Sequence, residues 1–169
     1  MSGIVIINAT AKGVKAMHTV IVCLSFHHKN TLKIARAMAD TLDAGVVKPN
    51  EVGKLNEVDL IGFGSGIYAF RHHSSLLGCV DDLPQRGINK KAFIFSTRGW
   101  GPASLYHYPM RRRLQSAGYS VLGEFSCLGY DTFGPLRLIG GINPNRPDED
   151  NIDEAQQFAQ SLLSEMETT

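Results

Sequence analysis

Short apolar runs alternate with longer amphipathic stretches along most of the chain. The run "TVIVCL" at 19–24 is β-branched and almost wholly apolar, as expected of a strand buried on both faces of a sheet. Residues 32–42 then repeat an apolar residue every third or fourth position, which predicts a helix with one buried face. The same alternation predicts further strands at 44–49, 58–65, 91–97 and 120–127, and further helices at about 73–83, 103–117 and 151–165.

Five strands that alternate with helices indicate parallel strands joined by right-handed crossovers. We therefore predict an α/β fold, a three-layer doubly wound sheet of five parallel strands. A chain of 169 residues with 43% hydrophobic content suits one compact domain, and no internal repeat or low-complexity tract interrupts the pattern.

The first residues stand outside this alternation, so we divide the chain into an N-terminal extension at 1–18 and one domain at 19–166. "IVII" within the extension could form an extra edge strand. Alternatively, Met17 could be the natural start, with the upstream residues added to it. The sequence leaves both interpretations open, and no function is assigned to these residues.

Charge and composition narrow the classes of partner. Lys and Arg number 17 against 16 acidic residues, and a net charge of +1 gives no argument for binding nucleic acid or an anionic membrane. The sequence contains no apolar run of membrane-spanning length and no signal-peptide pattern, which predicts a cytoplasmic protein. The three cysteines, Cys23, Cys79 and Cys127, form no CxxC pair and are interpreted as buried thiols.

The junction "SFHHKNT", residues 25–31, carries the first candidate chemistry. In an open parallel sheet, ligands bind beyond the carboxyl ends of the strands. Ser25, Asn30 and Thr31 place hydroxyl and amide groups there, at a predicted helix start whose unpaired N–H groups attract anions. This pattern predicts an anion site, while the alternative is that Asn30 or Thr31 merely caps the helix.

Two further loops on the same edge combine glycines with aromatic rings. "GSGIYAFRHH" follows the third strand and "STRGWG" follows the fourth. Gly64 and Gly66 are predicted to let the backbone approach a ligand, and Tyr68, Phe70 and Trp100 offer flat faces. Each cluster alone is typical of a turn with a half-buried ring. Together with an anion loop, the clusters indicate a nucleotide that carries a large flat ring.

These motifs resemble the flavodoxin-like proteins that bind flavin mononucleotide (FMN). The runs "SFHHKNTLKIA", "DLIGFGSGIY", "FIFSTRG" and "GEFSCLGYDTFGPLRLIGGINPNRP" resemble a branch known as flavodoxin family proteins, over about residues 19–166. The resemblance implies the strand order 2-1-3-4-5 and FMN as cofactor. It implies a redox role but not a particular reaction.

The resemblance also assigns residues to the cofactor. Ser25, Asn30 and Thr31 would hold the phosphate, together with backbone N–H groups from His27, His28 and Lys29 onwards, although Lys29 stands where a glycine is usual and the turn has one extra residue. The remaining assignments are Ile67 and Tyr68 flanking the isoalloxazine, Ser65 and Gly66 shaping that turn, Thr97, Arg98 and Gly99 bonding its polar edge, and Trp100 as a second wall.

The segment from Leu128 to Asp148 shows no clear period. Because its aromatic residues and glycines argue against disorder, we predict an ordered cover beside the flavin, with Tyr130 as a contact. The alternative is a structural excursion that packs on the sheet edge.

Other chemistries fit the sequence less well. The histidine pairs at 27–28 and 72–73 lack a cysteine or acid at ligand spacing, so we predict no metal site. A hydrolase built from Ser25, His107 and Asp131 would lack the G-x-S-x-G elbow. The basic run at 111–113 is interpreted as a solvated helix face, and Cys127 as a packing residue.

Two function classes remain. The first is a flavin redox protein, either an electron carrier or a small reductase that uses a pyridine nucleotide or quinone, with redox proteins or a small-molecule electron donor as partners. The second is a flavin-free scaffold. Flavin chemistry belongs to the cofactor, so no catalytic residue is predicted.

The presumed flavin loops carry Lys29, Arg71 and Arg98, with no acid at 26–39 or 63–79. This charge distribution predicts a less negative redox potential of the flavin than in acidic flavodoxins.

Overall fold

The structure is a computed structural model and describes residues 17–26, 28–55, 57–83 and 90–168. The strands are β1 (Thr19–Leu24), β2 (Gly45–Val47), β3 (Leu60–Tyr68), β4 (Arg71–His72), β5 (Lys91–Arg98) and β6 (Ser120–Leu128). The α-helices are α1 (Asn30–Leu42), α2 (Ser74–Gly78), α3 (Ala103–Ser116) and α4 (Glu149–Thr168). Two 3₁₀ helices span Pro49–Lys54 and Gly134–Ile139.

Five parallel strands form the sheet in the order β2-β1-β3-β5-β6. This confirms the predicted order 2-1-3-4-5 of the five main strands. The additional short strand, β4, was not predicted. It folds back antiparallel onto the end of β3 after a turn in which Ala69 and Phe70 both take a positive φ. The chain therefore reverses direction at the carboxyl edge of the sheet.

Alternate residues of the central strands pack into two separate cores, one on each face of the sheet. Ile21 and Phe93 pack with α1 and α4 on one face, and Val22 and Ile94 with α2 and α3 on the other. Strands buried on both faces are apolar at almost every position, which is why the runs were recognisable as strands. The two helix layers and the sheet confirm the three-layer architecture.

Two glycines of β3 serve this packing. A Cβ atom on Gly62 would lie 2.3 Å from the ring of Phe93, and one on Gly64 would lie 2.0 Å from the ring of Phe95. Such separations are far below van der Waals contact. The prediction that Gly64 makes room for a ligand is therefore wrong, because the neighbouring strand's phenyl ring occupies that space.

Helix boundaries differ from the predicted ones at two places. The helix predicted at 73–83 is the five-residue α2, which ends at Gly78, a poor helix former. By contrast, α4 runs from Glu149 to Thr168, because the acids Glu149 and Asp150 already occupy its first turn.

No helix among the described residues combines the length and apolar character that a membrane span requires. The possible strand "IVII" lies outside the described residues, so the division at residue 18 stays a prediction.

Candidate functional site

A cavity of about 280 Å³ opens at the carboxyl edge of the sheet. Its walls come from four places: the first turn of α1, the turn between β3 and β4, the segment from the end of β5 into α3, and the segment after β6. The lining residues are Asn30, Thr31, Gly66, Ile67, Tyr68, Ala69, Phe70, Thr97, Arg98, Gly99, Trp100, Tyr106, Gly129, Tyr130, Asp131, Phe133 and Leu136. This is the edge at which doubly wound sheets bind ligands.

The first turn of α1 turns its polar side chains toward the other loops. Asn30 donates a hydrogen bond from Nδ2 to the Tyr130 carbonyl at 2.8 Å, and the Thr31 hydroxyl bonds the Thr97 hydroxyl at 2.8 Å. The N-cap residue is Lys29, and its side chain makes no capping hydrogen bond. The capping interpretation of Asn30 and Thr31 is therefore wrong. Both side chains are buried and line the cavity.

The loop before α1 supplies a further donor. The Ser25 Oγ atom is buried and has no hydrogen-bond partner within the part of the chain that the structure describes. A buried hydroxyl without a partner is costly, and a ligand oxygen would satisfy it. The neighbouring first-turn N–H groups of α1 also lack intrahelical acceptors by the geometry of any helix start. These donors fit an anionic group such as phosphate.

The side chains of the remaining described residues of this loop point away from the cavity lining, and the predicted backbone contacts to a phosphate stay a prediction. His28 is exposed, bonds Thr132 Oγ1 through Nε2 at 3.0 Å, and packs its ring 4.4 Å from that of Tyr130. Lys29 is exposed and takes the left-handed backbone conformation, φ 55°, that a glycine would adopt without strain. Neither residue lines the cavity, nor does Ser25. His27 lies outside the described residues.

The turn after β3 forms one wall. Gly66, Ile67 and Tyr68 line the cavity, whereas Ser65 is fully buried behind them. The Ser65 hydroxyl donates to the Gly66 carbonyl at 2.8 Å and accepts the His73 N–H at 3.3 Å. Ser65 thus stabilises the turn. The family resemblance assigned this residue the same role, that of shaping the turn. Burial raises the pKa of the Tyr68 phenol, and the nearby Asp131 carboxylate adds to the shift.

The loop after β5 forms the facing wall and its rim. Thr97, Arg98, Gly99 and Trp100 all line the cavity. Arg98 donates from Nε to the Gly101 carbonyl at 2.9 Å, and its buried Nη1 has no partner among the described residues. The Trp100 side chain is 65% exposed at the cavity mouth. A flat exposed ring and a guanidinium with a free donor are therefore both available at this wall.

The segment after β6 lies beside the cavity. Asp131 and Ile142 exchange two backbone hydrogen bonds at 2.9 and 3.0 Å, and the Tyr130 hydroxyl donates to the Gly140 carbonyl at 3.0 Å. A 3₁₀ helix at Gly134–Ile139 follows. The segment is thus held by its own contacts, and Tyr130 lines the cavity as expected. Whether it covers a flavin stays a prediction.

Several lining residues were missed by sequence reasoning. They are Ala69, Tyr106, Gly129, Asp131, Phe133 and Leu136; Phe70 was noted only for its flat ring. Asp131 matters most, because it places an acid in a cavity whose loops were predicted to be basic. Its carboxylate lies against Gly99, where a Cβ atom would be 2.6 Å from Asp131 Oδ2. The sequence offered only a positional signal, since Asp131 lies three residues beyond the end of β6, at the edge where ligands bind.

The predicted cations are also distributed unevenly. Of Lys29, Arg71 and Arg98, Arg98 lines the cavity, and the other two are exposed outside it. The local field therefore depends mainly on the balance between Arg98 and Asp131.

A buried polar network lies beneath the cavity wall. His107 is fully buried, bonds Ser96 Oγ through Nε2 at 2.7 Å, and bonds Glu124 Oε2 through Nδ1 at 3.1 Å. Arg111 in turn pairs with Glu124. Although this Ser-His-Glu order resembles a nucleophilic triad, Ser96 is also fully buried, so no substrate reaches it. The network connects α3 to β5 and β6.

His72 stacks on His107 with ring centroids 5.0 Å apart, and its Nδ1 lies 3.0 Å from Ser65 Oγ. Burial, assisted by the neighbouring His107, lowers the pKa of His72 to about 3. Burial also lowers the pKa of His107, against the opposing effect of Glu124. Both rings are therefore neutral at pH 7. The described residues contain no group of three or more His, Cys, Asp or Glu side chains placed to hold a metal ion.

Burial also affects the three cysteine thiols. Cys23, Cys79 and Cys127 are buried and free of disulfides, and burial raises the pKa of each to about 12. The interpretation of these residues as buried packing thiols is confirmed.

The sheet order and the position of the cavity define a flavodoxin-like α/β protein, and known structures agree. Oxidised flavodoxin 2 from Bacillus cereus superimposes with a TM-score of 0.65 at 17% identity, covering 88% of this chain and 99% of that protein. A flavodoxin from the domain Archaea gives 0.56 at 14% identity, covering 89% and 99%. An NADH:FMN oxidoreductase in its apo form gives 0.57 at 19% identity, covering 86% and 88%. These likenesses show the fold.

Sequence similarity identifies the family. The chain is 46% identical over 150 residues to the uncharacterized protein MJ0298 of Methanocaldococcus jannaschii, covering 87% of this chain and 99% of the archaeal protein. The chain therefore belongs to the same protein family as MJ0298. No protein-family model matches the sequence.

Proposed function

We propose that this protein binds FMN non-covalently in the cavity and acts as a flavodoxin-like redox protein. The observation that carries the proposal is the convergence, at one edge of the sheet, of an anion-binding helix start and aromatic walls. The loop before the helix offers the buried Ser25 hydroxyl, which has no partner among the described residues, and the helix start offers the cavity-lining Thr31. The walls offer Tyr68 and Trp100. A phosphate with a planar ring attached fits this combination.

In this proposal the protein supplies position and electrostatics. Ser25, Thr31 and the first-turn N–H groups of α1 hold the phosphate, and Tyr68 and Trp100 bound the ring. Thr97, Arg98 and Gly99 lie at its polar edge, where Arg98 donates a hydrogen bond and Asp131 accepts one. The bound flavin would supply one- and two-electron chemistry, so no side chain is required as acid, base or nucleophile. The backbone N–H groups of His28 and Lys29 would add to these phosphate contacts.

A small FMN-dependent reductase is the second candidate function. Phe70 and Trp100 are 64% and 65% exposed at the mouth, with ring centroids 6.1 Å apart. These rings offer a surface on which a second planar molecule, such as a nicotinamide or quinone, could stack beside the flavin. The fold shared with an NADH:FMN oxidoreductase is compatible with this role.

Cofactor binding is tested by loading the purified protein with FMN and passing it through gel filtration. We expect yellow protein that retains the cofactor, and quenched flavin fluorescence in a titration. A colourless, folded protein that leaves flavin fluorescence unchanged would contradict the proposal and leave a flavin-free scaffold.

Addition of NADH or NADPH under air then separates the two redox roles. An electron carrier is expected to remain oxidised without another enzyme. Repeated consumption of the nucleotide would identify a reductase.

We further propose that the protein is cytoplasmic. Its proposed partners are redox proteins or a small-molecule electron donor, and we propose no role in binding nucleic acid.

A further inference from the structure

The outer face of α3 carries exposed apolar side chains that the cavity does not use. Leu105 is 67% exposed and Tyr108 is 54% exposed. With the exposed Arg112 they form one stripe, because positions three and four apart share a helix face. Large apolar side chains on the solvent side of a helix are unusual when they are grouped, and grouped exposure marks an interaction surface.

The stripe begins next to a residue of the cavity, because Leu105 directly precedes the buried, cavity-lining Tyr106 in the chain. Tyr106, on the first turns of α3, lines the cavity, and the ring of Phe70 lies 6.0 Å from it and 6.1 Å from the ring of Trp100. We call the combined surface the α3 patch, and define it by Phe70, Trp100, Leu105, Tyr108 and Arg112. Aromatic residues and arginine are the residue types enriched at protein interfaces.

Charge indicates the kind of partner. Helix α3 contains no acidic residue. Arg111 and Arg113 are paired with Glu124 and Asp81, respectively. Arg112 on the patch and the exposed Arg71 beside it make no ion pair with a described residue, so the patch presents positive charge that no acid of its own compensates.

We propose that the α3 patch docks an acidic electron-transfer protein, which exchanges electrons with the ligand in the cavity at the Phe70–Trp100 mouth. This inference rests on the proposed flavin function. A second copy of the chain fits less well, because a two-fold interface would place the same positively charged patch of both copies against each other. An anionic membrane fits less well, because membrane-binding patches use clusters of four to eight cations.

The test uses FMN-loaded protein and a chemically reduced plant-type two-iron ferredoxin, a strongly acidic carrier, as the probe. Stopped-flow absorbance measures the second-order rate of flavin reduction at low and moderate salt. The variant is Arg112→Glu. The matched control is Lys33→Glu, an equal charge reversal at an exposed position on α1, which packs on the opposite face of the sheet.

We expect the low-salt rate to fall by about tenfold or more in Arg112→Glu and by less than about twofold in Lys33→Glu, with a clear salt dependence in the wild type. Leu105→Ser should lower the rate without changing its salt dependence. Equal effects of the two charge reversals, or a wild-type rate independent of salt, would overturn the proposal. Circular dichroism and reduction by dithionite confirm that each variant is folded and loaded.

Failure of docking remains distinguishable from failure of flavin binding. If the protein retains no FMN, the proposed function is contradicted. Calorimetric titration of ferredoxin into the flavin-free protein then still measures docking at the α3 patch. Light scattering that shows a dimer abolished by Leu105→Glu would instead assign the patch to a second copy. Sedimentation with phosphatidylserine vesicles would assign it to a membrane. Either of these results would overturn the proposal of an acidic protein partner.

Discussion

The hydroxyl groups of Thr31 and Thr97 are joined by a hydrogen bond of 2.8 Å, which connects the first turn of α1 to the end of β5. Both residues line the cavity and both are at least 95% buried. A hydroxyl can accept one hydrogen bond and donate another. When Thr97 donates to Thr31, the Thr31 proton remains available for a ligand oxygen, which is the arrangement that the proposed phosphate site requires.

Replacing Thr31 and Ser25 together by alanine should weaken FMN binding. The double variant loses two donors to a charged phosphate, and each such hydrogen bond contributes about 1.5 to 3 kcal/mol. We expect the dissociation constant, measured by fluorescence quenching, to rise by about tenfold or more. The control is Thr41→Ala, which removes a hydroxyl that bonds the Ala37 carbonyl at 3.2 Å in the same helix. Unchanged affinity in the folded double variant would mean that this loop does not hold the phosphate.

Gly64→Ala should destabilise the fold and not act through the ligand. The added Cβ would lie 2.0 Å from the Phe95 ring, which is itself fully buried between sheet and helices. Overpacking of this kind costs about 1 to 3 kcal/mol. The control is Gly45→Ala in β2, where a Cβ meets no atom within 4 Å. Urea unfolding should separate the two variants. Equal stability with reduced FMN affinity in Gly64→Ala would restore the view that this glycine faces a ligand.

The sequence predicted the sheet well and the cavity only in part, for physical reasons. Buried strands such as β1 are apolar at almost every position, so their pattern is local and readable. The turn that produces β4 is different, because it depends on positive φ angles at Ala69 and Phe70, residue types that give no turn signal. Asp131 reaches the cavity through its pairing with Ile142, a contact that no periodicity encodes.

Lower pH should reduce stability through the buried His72. Its folded pKa is lowered to about 3, so the unfolded chain, with a histidine pKa of about 6.5, binds the proton first as pH falls. The contribution of neutral His72 to the free energy of unfolding is therefore fully present above about pH 6.5. It is lost progressively between that pH and about 3. Between pH 7 and 5 this residue alone should account for about 2 kcal/mol of the loss in unfolding free energy.

The variant His72→Asn tests this assignment, because an amide can still bond Ser65 but does not titrate. We expect its unfolding free energy, measured in urea, to fall less between pH 7 and 5 than that of the wild type. Part of the pH dependence should remain, since burial also lowers the pKa of His107. Restricting the range to pH 5 and above keeps carboxylates such as Glu124, whose pKa is lowered, from contributing. An identical pH dependence in both proteins would show that His72 is not the group responsible.

Arg98 and Asp131 should shift the potential of a bound flavin in opposite directions. Both line the cavity, Arg98 with a buried Nη1 that lacks a described partner and Asp131 with a carboxylate against Gly99. A positive charge about 8 Å from the flavin, at an effective dielectric of about 20, favours electron uptake by about 2 kcal/mol before salt screening. A negative charge at that distance opposes electron uptake by a similar amount. For one electron, about 1.4 kcal/mol corresponds to about 60 mV.

We therefore expect Arg98→Glu to move the midpoint potential to more negative values by tens of millivolts, and Asp131→Asn to move it to less negative values. Spectroelectrochemical titration at low and moderate salt measures both shifts, which should shrink as salt rises. Lys29→Glu serves as the control, because Lys29 is exposed and does not line the cavity, so its effect should be the smallest of the three. The opposing pair also revises the expectation of a purely basic site, since Asp131 offsets part of the field of Arg98. If Arg98→Glu left the potential unmoved at low salt, Arg98 would not face the flavin, and the loop after β5 would have to be removed from the proposed site.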